Sequence, residues 1–183
     1  MAEISELSRE DLLKLLEIYA KNWAAHDGCW FLAAEEKYGL ETAMMLDAAS
    51  WARFAPIEAE RIKSAFGLQD GGGIPALEQA LKLRMYALAN RQEVVRIQED
   101  ALELRMIECR VQQARRRKGL QDFPCKQVSV IGFPAFARAR LSDSRHLRGQ
   151  STRRYRRNVS PALRIRSAQA IADGGLPKRG DRI

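Results

Sequence analysis

The sequence lacks the features that mark membrane-spanning, secreted and disulfide-stabilised proteins. No segment approaches the roughly 18 consecutive apolar residues of a membrane span, so we expect no contact with a membrane. Residues 1–8 are acidic and contain no apolar core of a secretory signal. Only 3 cysteines occur, far apart, which excludes a disulfide framework. The sequence therefore predicts a cytoplasmic protein.

The first three quarters of the chain have no net positive charge, and the net positive charge is concentrated at the end of the chain. The 183 residues include 31 Lys+Arg and 23 Asp+Glu, a net charge of +8. Residues 138–183 hold 13 of the basic and 3 of the acidic residues, so residues 1–137 carry a net charge of −2. This division predicts a folded domain over 5–137 and an arginine-rich tail over 138–183.

Apolar residues recur at helical spacing from the N-terminus onward. Ser8 predicts the cap of a first helix, which should bend or end at Asp27-Gly28. A second helix is expected to stop at Gly39 and a third to cover 40–54. A fourth should begin at Pro56, because proline suits the first turn of a helix.

Glycine and proline also mark the later boundaries. The fourth helix should end at Gly67, and Pro75 should open a fifth. Two tryptophans of the first two helices, Trp23 and Trp30, are predicted to be buried against the third and fourth, since aromatic side chains bury the most apolar area.

Two strand-like runs follow the helices. Residues 94–97 and 102–106 flank an acidic dipeptide, which predicts a hairpin. Residues 111–118 should be helical and end at Gly119, and a last helix should reach about Ala137. The predicted fold class is α+β, with N-terminal helices followed by a small antiparallel sheet and packed helices.

Two segments carry a resemblance to a known family. Residues 20–31 read AKNWAAHDGCWF and residues 109–126 read CRVQQARRRKGLQDFPCK. They resemble signature blocks of small bacterial and archaeal cytosolic proteins catalogued as a domain of unknown function, over about residues 5–138. The chain is more distantly similar to the L-2-amino-thiazoline-4-carboxylate hydrolase family and to small-ligand domains of the vinyl-four-reductase type.

The resemblance implies C-terminal strands, some with cysteines, that are not evident here. Residues 138–183 contain 12 arginines, one lysine, no glutamate and no cysteine. Three interpretations stay open: an arm that binds nucleic acid, a disordered tail without a specific role, or the product of a reading-frame slip. Without those strands the hairpin would expose an unpaired edge, which would favour self-association.

A first candidate site lies in the first block. His26, Asp27 and Glu35 offer an imidazole and carboxylates that could act as general base and orienter, or bind a hard metal ion. The alternative is that His26 and Asp27 cap a helix end near Gly28.

A second candidate site is a pair of cysteines. The resemblance implies that Cys109 and Cys125 belong to a thiolate zinc site completed by C-terminal cysteines. Because tetrahedral zinc takes about four ligands, such a site would be incomplete in this chain. The favoured alternative is two free thiols that pack as small apolar groups.

A third candidate site is basic. Residues 115–118 form an Arg-Arg-Arg-Lys run, which at a helix C-terminus would also complement the helix dipole. Together with residues outside the run it could bind a small carboxylate or phosphate. The anion-binding candidates are Arg110, Arg115, Lys118 and Lys126.

Two function classes follow, with a third resting on the tail. One is a cytosolic small-molecule protein that binds or hydrolyses a small carboxylate; if it is an enzyme, the resemblance implies a cyclic amidine or thiazoline carboxylate as substrate. The other is an interaction module built around the incomplete zinc site. The third is nucleic-acid binding by the arginine-rich tail.

Overall fold

Two long helices form the N-terminal half of the protein. The computed structural model describes residues 3–99, 101–138, 148–151 and 163–166. Helix α1 spans Arg9–Tyr38 and helix α2 spans Leu40–Phe66. Ser8 Oγ accepts a hydrogen bond from the Asp11 backbone N–H at 3.1 Å, which confirms the predicted cap.

The predicted breaks inside these helices are wrong. Gly28 lies within α1 and Pro56 within α2, so four predicted helices are two. Each residue weakens a helix locally, yet packing stabilises the segment around it: Ala55 and Ala59, on either side of Pro56, are fully buried. The predicted end at Gly67 is confirmed, with a left-handed φ of 63°.

Short elements follow and bring the chain back across the long helices. Helix α3 spans Gly73–Lys82 and α4 spans Met85–Ala89. The predicted hairpin is confirmed as β1, Arg91–Gln98, and β2, Ala101–Glu108. Helix α5 spans Arg110–Arg117 and α6 spans Cys125–Arg138. No helix among the described residues is long and apolar enough to cross a membrane.

The α+β class is confirmed, but the sheet is larger than the sequence predicted. Strands β3, Arg148–Ser151, and β4, Leu163–Arg166, extend it in the order β1-β2-β4-β3, with antiparallel pairing throughout. The expectation that the C-terminal strands are missing and that the β2 edge is open is therefore corrected.

The alternation of apolar and basic residues over 163–166 explains the added strand, since it has the period of a β-strand. Its register pairs Ile165 with Leu102 and Leu163 with Leu104. The three interpretations of the arginine-rich tail also concern residues 139–147, 152–162 and 167–183, which lie outside the residues that the structure describes.

The core consists of two clusters that meet at one tryptophan. The larger joins α2, α3, β2 and α6, with Leu77, Leu81, Leu102 and Phe136 fully buried at its centre. The smaller joins α1, α2, α6 and the segment before α6. Trp51 packs against both clusters, and Gly132 of α6 lies against it; a Cβ at Gly132 would be 3.5 Å from that of Trp51.

A buried ion pair ties α2 to the start of α4. Arg84 Nη2 lies 2.7 Å from Glu58 Oε2, and both side chains are less than a tenth exposed. Glu58 Oε1 also accepts the Met85 backbone N–H at 3.3 Å. The Arg84 guanidinium lies 4.5 Å from the ring centroid of Phe136 and 5.2 Å from that of Phe133, so it contacts α6 as well.

The two N-terminal tryptophans differ in their surroundings. Trp23 stacks on Phe54 at 5.3 Å and contacts Trp51 at 5.9 Å between ring centroids, which confirms its packing against α2, although the side chain is half-buried and not fully buried. Trp30 is 49% exposed, so its predicted burial is wrong. Phe31 and Ala34 occupy the buried positions of this part of α1.

The exposure difference predicts unequal costs of truncation. Trp23→Ala should lower the free energy of unfolding by about 2–4 kcal/mol, because it leaves a cavity in an aromatic cluster. Trp30→Ala should cost less than about 1 kcal/mol. Urea denaturation of both variants measures the difference, and equal costs would contradict the assigned helix face.

Removing the acidic partner of Arg84 should be strongly destabilising. Glu58→Gln leaves the guanidinium charge buried without a carboxylate, for which we expect a loss of about 3–5 kcal/mol. Glu60→Gln is the control: it removes an exposed carboxylate on the same helix and should cost less than about 1 kcal/mol. Urea denaturation would again report both values, and a small loss for Glu58→Gln would show that water reaches Arg84.

Candidate functional site

A cavity of about 360 Å³ lies between the helices and the hairpin. Its wall is mostly apolar and is built by residues of α1, α2, α5, α6, the start of α4 and both hairpin strands. Polar and charged side chains also line it: Asp27, Cys29, Asp47, Arg84, Tyr86, Gln92, Cys109, Arg110, Arg115, Arg117, Lys118, Cys125 and Ser129. An apolar cavity of this size with a small number of polar groups is typical of a small-molecule site.

Two carboxyl groups from different helices line the cavity. Asp27 comes from α1 and Asp47 from α2, and Asp47 is only 7% exposed. Burial raises the pKa of Asp47 to about 7, with the charge of Asp27 contributing and a hydrogen bond from the Trp51 side chain acting the other way. Burial also raises the pKa of Asp27. Near neutral pH the pair therefore holds fewer than two negative charges.

Aromatic rings lie beside Asp27 and Asp47, which we call the acid pair. The ring centroids of Trp51 and Tyr86 are 5.4 Å apart, and both residues line the cavity. Burial, followed by the nearby charges of Asp27 and Asp47, raises the pKa of Tyr86, so its phenol stays neutral. The acid pair is thus bordered by an indole and a phenol.

Cys109 and Cys125, the two cysteines of the segment 109–126, line the cavity as thiols. Cys109 precedes α5 and Cys125 begins α6, and Gln112 Nε2 lies 3.0 Å from the Cys125 sulfur as a hydrogen-bond donor. Burial, together with the neighbouring Cys109, raises the pKa of Cys125 to about 11, which disfavours the thiolate that a metal needs.

The described residues do not fit the zinc site that the resemblance implies. They contain no group of three or more His, Cys, Asp or Glu side chains that could hold a metal ion. Cys109 and Cys125 supply two ligands of the four that zinc takes. We therefore assign no zinc chemistry to this pair.

Glu35 and Arg115 form a bidentate pair between α1 and α5. Arg115 Nη1 and Nη2 donate to the two Glu35 oxygens at 2.6 and 2.9 Å, and Nε donates to the Gln121 carbonyl at 2.6 Å. The guanidinium hydrogen bonds hold the pKa of Glu35 below its usual value. Arg115 lines the cavity, but three of its N–H groups are engaged and its charge is paired with Glu35, so its role in this structure is to position α5.

The three predicted catalytic residues are not brought together. Asp27 lines the cavity, whereas His26 is exposed and does not line it, and Glu35 faces Arg115. Of the three, Asp27 alone has the position that the chemistry requires.

Three exposed cations line the outer part of the cavity. Arg110, Arg117 and Lys118 are exposed lining residues, and their side chains form no ion pair within the described part of the chain. Arg116, which does not line the cavity, pairs with Asp122 at 2.8 Å. The Lys126 side chain lies outside the described residues. We call Arg110, Arg117 and Lys118 the cationic rim.

Asp47, Trp51 and Tyr86 were not predicted as site residues. Asp47 is the lone charged residue between Glu41 and Arg53, in a helix that is otherwise largely apolar, and this was the available signal. Nothing in the sequence places Tyr86 beside it, because the two are brought together by the packing of α4 against α1 and by the contact of the Tyr86 ring with Trp51.

Asp47 should destabilise the fold in a pH-dependent manner. Its folded-state pKa is raised, so folding retains a proton that the unfolded chain releases above about pH 4. Stability should therefore fall as the pH rises through this range and reach its lower plateau above about pH 7.

The substitution Asp47→Asn tests this penalty and keeps an acceptor for Trp51. Its stabilising effect should be larger at pH 8 than at pH 5 by about 2 kcal/mol. Thermal unfolding at several pH values measures the difference. Glu41→Gln, at an exposed carboxylate of the same helix, is the control, and a pH-independent effect of Asp47→Asn would contradict the assignment.

Comparison with known proteins gives a family but no activity. Searches of curated proteins and of solved structures yield no match. A family model described as a family of unknown function (DUF6125) matches residues 5–148, most of the chain. This confirms the family resemblance of the two sequence blocks, whereas the likeness to the thiazoline carboxylate hydrolases stays a prediction. The chain belongs to this family of unknown function.

Proposed function

We propose that this protein binds a small carboxylate with an apolar body in the cavity between α1, α2, α5 and α6. The observation that carries the proposal is the cationic rim, which lines an otherwise mostly apolar cavity. An apolar wall favours the body of such a ligand, and the guanidinium and ammonium groups favour its carboxylate.

The cations that line the cavity differ in whether a carboxylate of the protein is paired with them, and this difference supports the assignment. Glu58 neutralises Arg84 and Glu35 neutralises Arg115, so neither is available to an anion. The cationic rim has no such carboxylates among the described residues. A ligand carboxylate would supply the missing charge.

The dipole of α5 explains the positions of only two of the three residues of the cationic rim. Arg117 and Lys118 lie at the C-terminal end of α5, where cations interact favourably with the helix dipole. Arg110 is its first residue, where a positive charge is unfavourable. The position of Arg110 is therefore explained better by an external anion than by the helix.

The cavity volume limits the ligand to a small molecule. A site of about 360 Å³ is near the lower end of the usual range for ligand pockets. It suits roughly one ring with short substituents and is too small for a peptide or a dinucleotide.

A hydrolytic activity on such a carboxylate is the enzymatic form of the proposal. The raised pKa of Asp47, about 7, suits a group that donates a proton to a leaving atom near neutral pH. Asp27 would accept a proton from the attacking water. Binding has to be established first, because the acid pair serves a purpose in hydrolysis only when a substrate reaches it.

Titration with 4-methylbenzoate tests the binding proposal. Because Trp51 lines the cavity, its fluorescence should change on binding, and calorimetry would give the affinity. The uncharged 4-methylbenzamide, of similar shape, should bind about tenfold more weakly. The difference should shrink at high salt, since exposed cations are screened.

The double substitution Arg110→Gln/Lys118→Gln tests whether the cationic rim causes the preference for 4-methylbenzoate over 4-methylbenzamide. It should weaken 4-methylbenzoate binding about tenfold and leave 4-methylbenzamide binding unchanged. Arg61→Gln is the matched control, an exposed arginine of α2 that does not line the cavity. Equal affinities for the acid and the amide would overturn the proposal.

The other two predicted functions have less support. An interaction module built on zinc lacks its ligands among the described residues. Nucleic-acid binding by the arginine-rich tail stays a prediction, as does self-association; of that tail the structure describes little beyond β3 and β4.

A further inference from the structure

We infer that the inner end of the cavity binds a protonated amine, so that the ligand is a small zwitterion with an apolar body between its carboxylate and its ammonium group. The inference deepens the proposed function and rests on it for the carboxylate end. The amine end rests on a separate set of residues: Asp27, Asp47, Trp51 and Tyr86.

Within the part of the chain that the structure describes, neither Asp27 nor Asp47 has an ion pair of the kind that Arg84 and Arg115 have. Arg84 lines the same cavity, but its guanidinium is bound by Glu58 at 2.7 Å and stacks over Phe136. Arg115 is bound by Glu35 at 2.6 Å. Asp27 and Asp47 thus line a cavity of about 360 Å³ without an ion-pair partner among the described residues.

The other groups around the acid pair neutralise it only in part. The charge of His26 acts to lower the pKa of Asp27, but the His26 side chain is exposed and does not line the cavity. Tyr86 and Cys109 contribute a phenol and a thiol, and the Trp51 side chain donates one hydrogen bond to Asp47. These groups can donate or accept hydrogen bonds, but neither the phenol, the thiol nor the indole carries positive charge.

The aromatic wall is the independent feature that favours a cation. Trp51 and Tyr86 line the cavity next to the carboxyl groups, and their rings lie 5.4 Å apart. Indole and phenol faces attract an ammonium group, and the attraction grows when water is excluded. Carboxylates combined with aromatic faces are what a protonated amine requires.

The two ends of the cavity differ in exposure. Asp47 is buried, whereas Arg110, Arg117 and Lys118 are exposed. A zwitterion can therefore enter with its ammonium group inward and leave its carboxylate at the cationic rim. The opposite orientation would bring like charges together at both ends.

The experiment compares three probes of one shape: 4-(aminomethyl)benzoate, 4-methylbenzoate and 4-methylbenzylamine. At pH 8 the amino acid should bind at least about tenfold more tightly than 4-methylbenzoate. The preference should fall on going to pH 5.5, because protonation of Asp47 removes the charge that attracts the amine, while the amine stays protonated over this range.

Substitutions assign the preference to the acid pair. Asp47→Asn and Asp27→Asn should each reduce the affinity ratio of 4-(aminomethyl)benzoate to 4-methylbenzoate to about one. Glu36→Gln is the matched control: it removes an exposed carboxylate of α1 that does not line the cavity, and should keep the ratio. Asparagine is close in size to aspartate, and thermal unfolding would verify that each variant is folded.

The outcomes separate this inference from the proposed function. If 4-methylbenzoate binds and the amino group brings no gain, the inference is overturned and the carboxylate proposal stands. If 4-methylbenzylamine binds in an Asp47-dependent manner and 4-methylbenzoate does not, the acid pair is confirmed as an amine site and the carboxylate proposal fails. Binding of none of the three overturns both.

Discussion

The buried ion pair between Arg84 and Glu58 is the interaction on which the site depends most. It joins α2 to the start of α4, and the guanidinium also stacks over Phe133 and Phe136 of α6. Because a charge in this position is tolerated only with its partner, the pair fixes where the start of α4 lies relative to α2. Tyr86 follows Arg84 by two residues and lines the cavity, so its position depends on this pairing.

The same pair also leaves the acid groups of the cavity uncompensated. Arg84 is the cation that enters the aromatic region around Trp51, at 5.7 Å from its ring, and Glu58 satisfies it. Asp27 and Asp47 therefore face the cavity without the partner that buried charges usually have. The fold neutralises its structural charges and leaves these two aspartates for the cavity.

Individual glycines predicted where some helices end, whereas packing between distant segments decides where the helices continue and which residues line the cavity. Gly67 and Gly119 end helices with φ near 65°, as the sequence indicated. Gly28 and Pro56 looked like breaks but lie inside helices. Ala55 and Ala59 are buried beside Pro56 and Phe31 is buried about one turn after Gly28, and this packing outweighs a local loss of about 1 kcal/mol for glycine and about 3 kcal/mol for proline. Asp47 belongs to a site because of α4 and α1, which no spacing within α2 can reveal.

Stability and site chemistry conflict at Asp47, and that conflict supports its assignment to a ligand. A leucine or methionine at this position would bury apolar area without a desolvation cost, whereas the carboxyl group must hold a proton or lose stability as it ionises. Among the described contacts of Asp47, the Trp51 hydrogen bond opposes this cost, and the pKa of the carboxyl group is still raised to about 7. A charge that costs the empty fold stability becomes favourable when a cation enters beside it, and the cavity next to Asp47 and Asp27 has room for one.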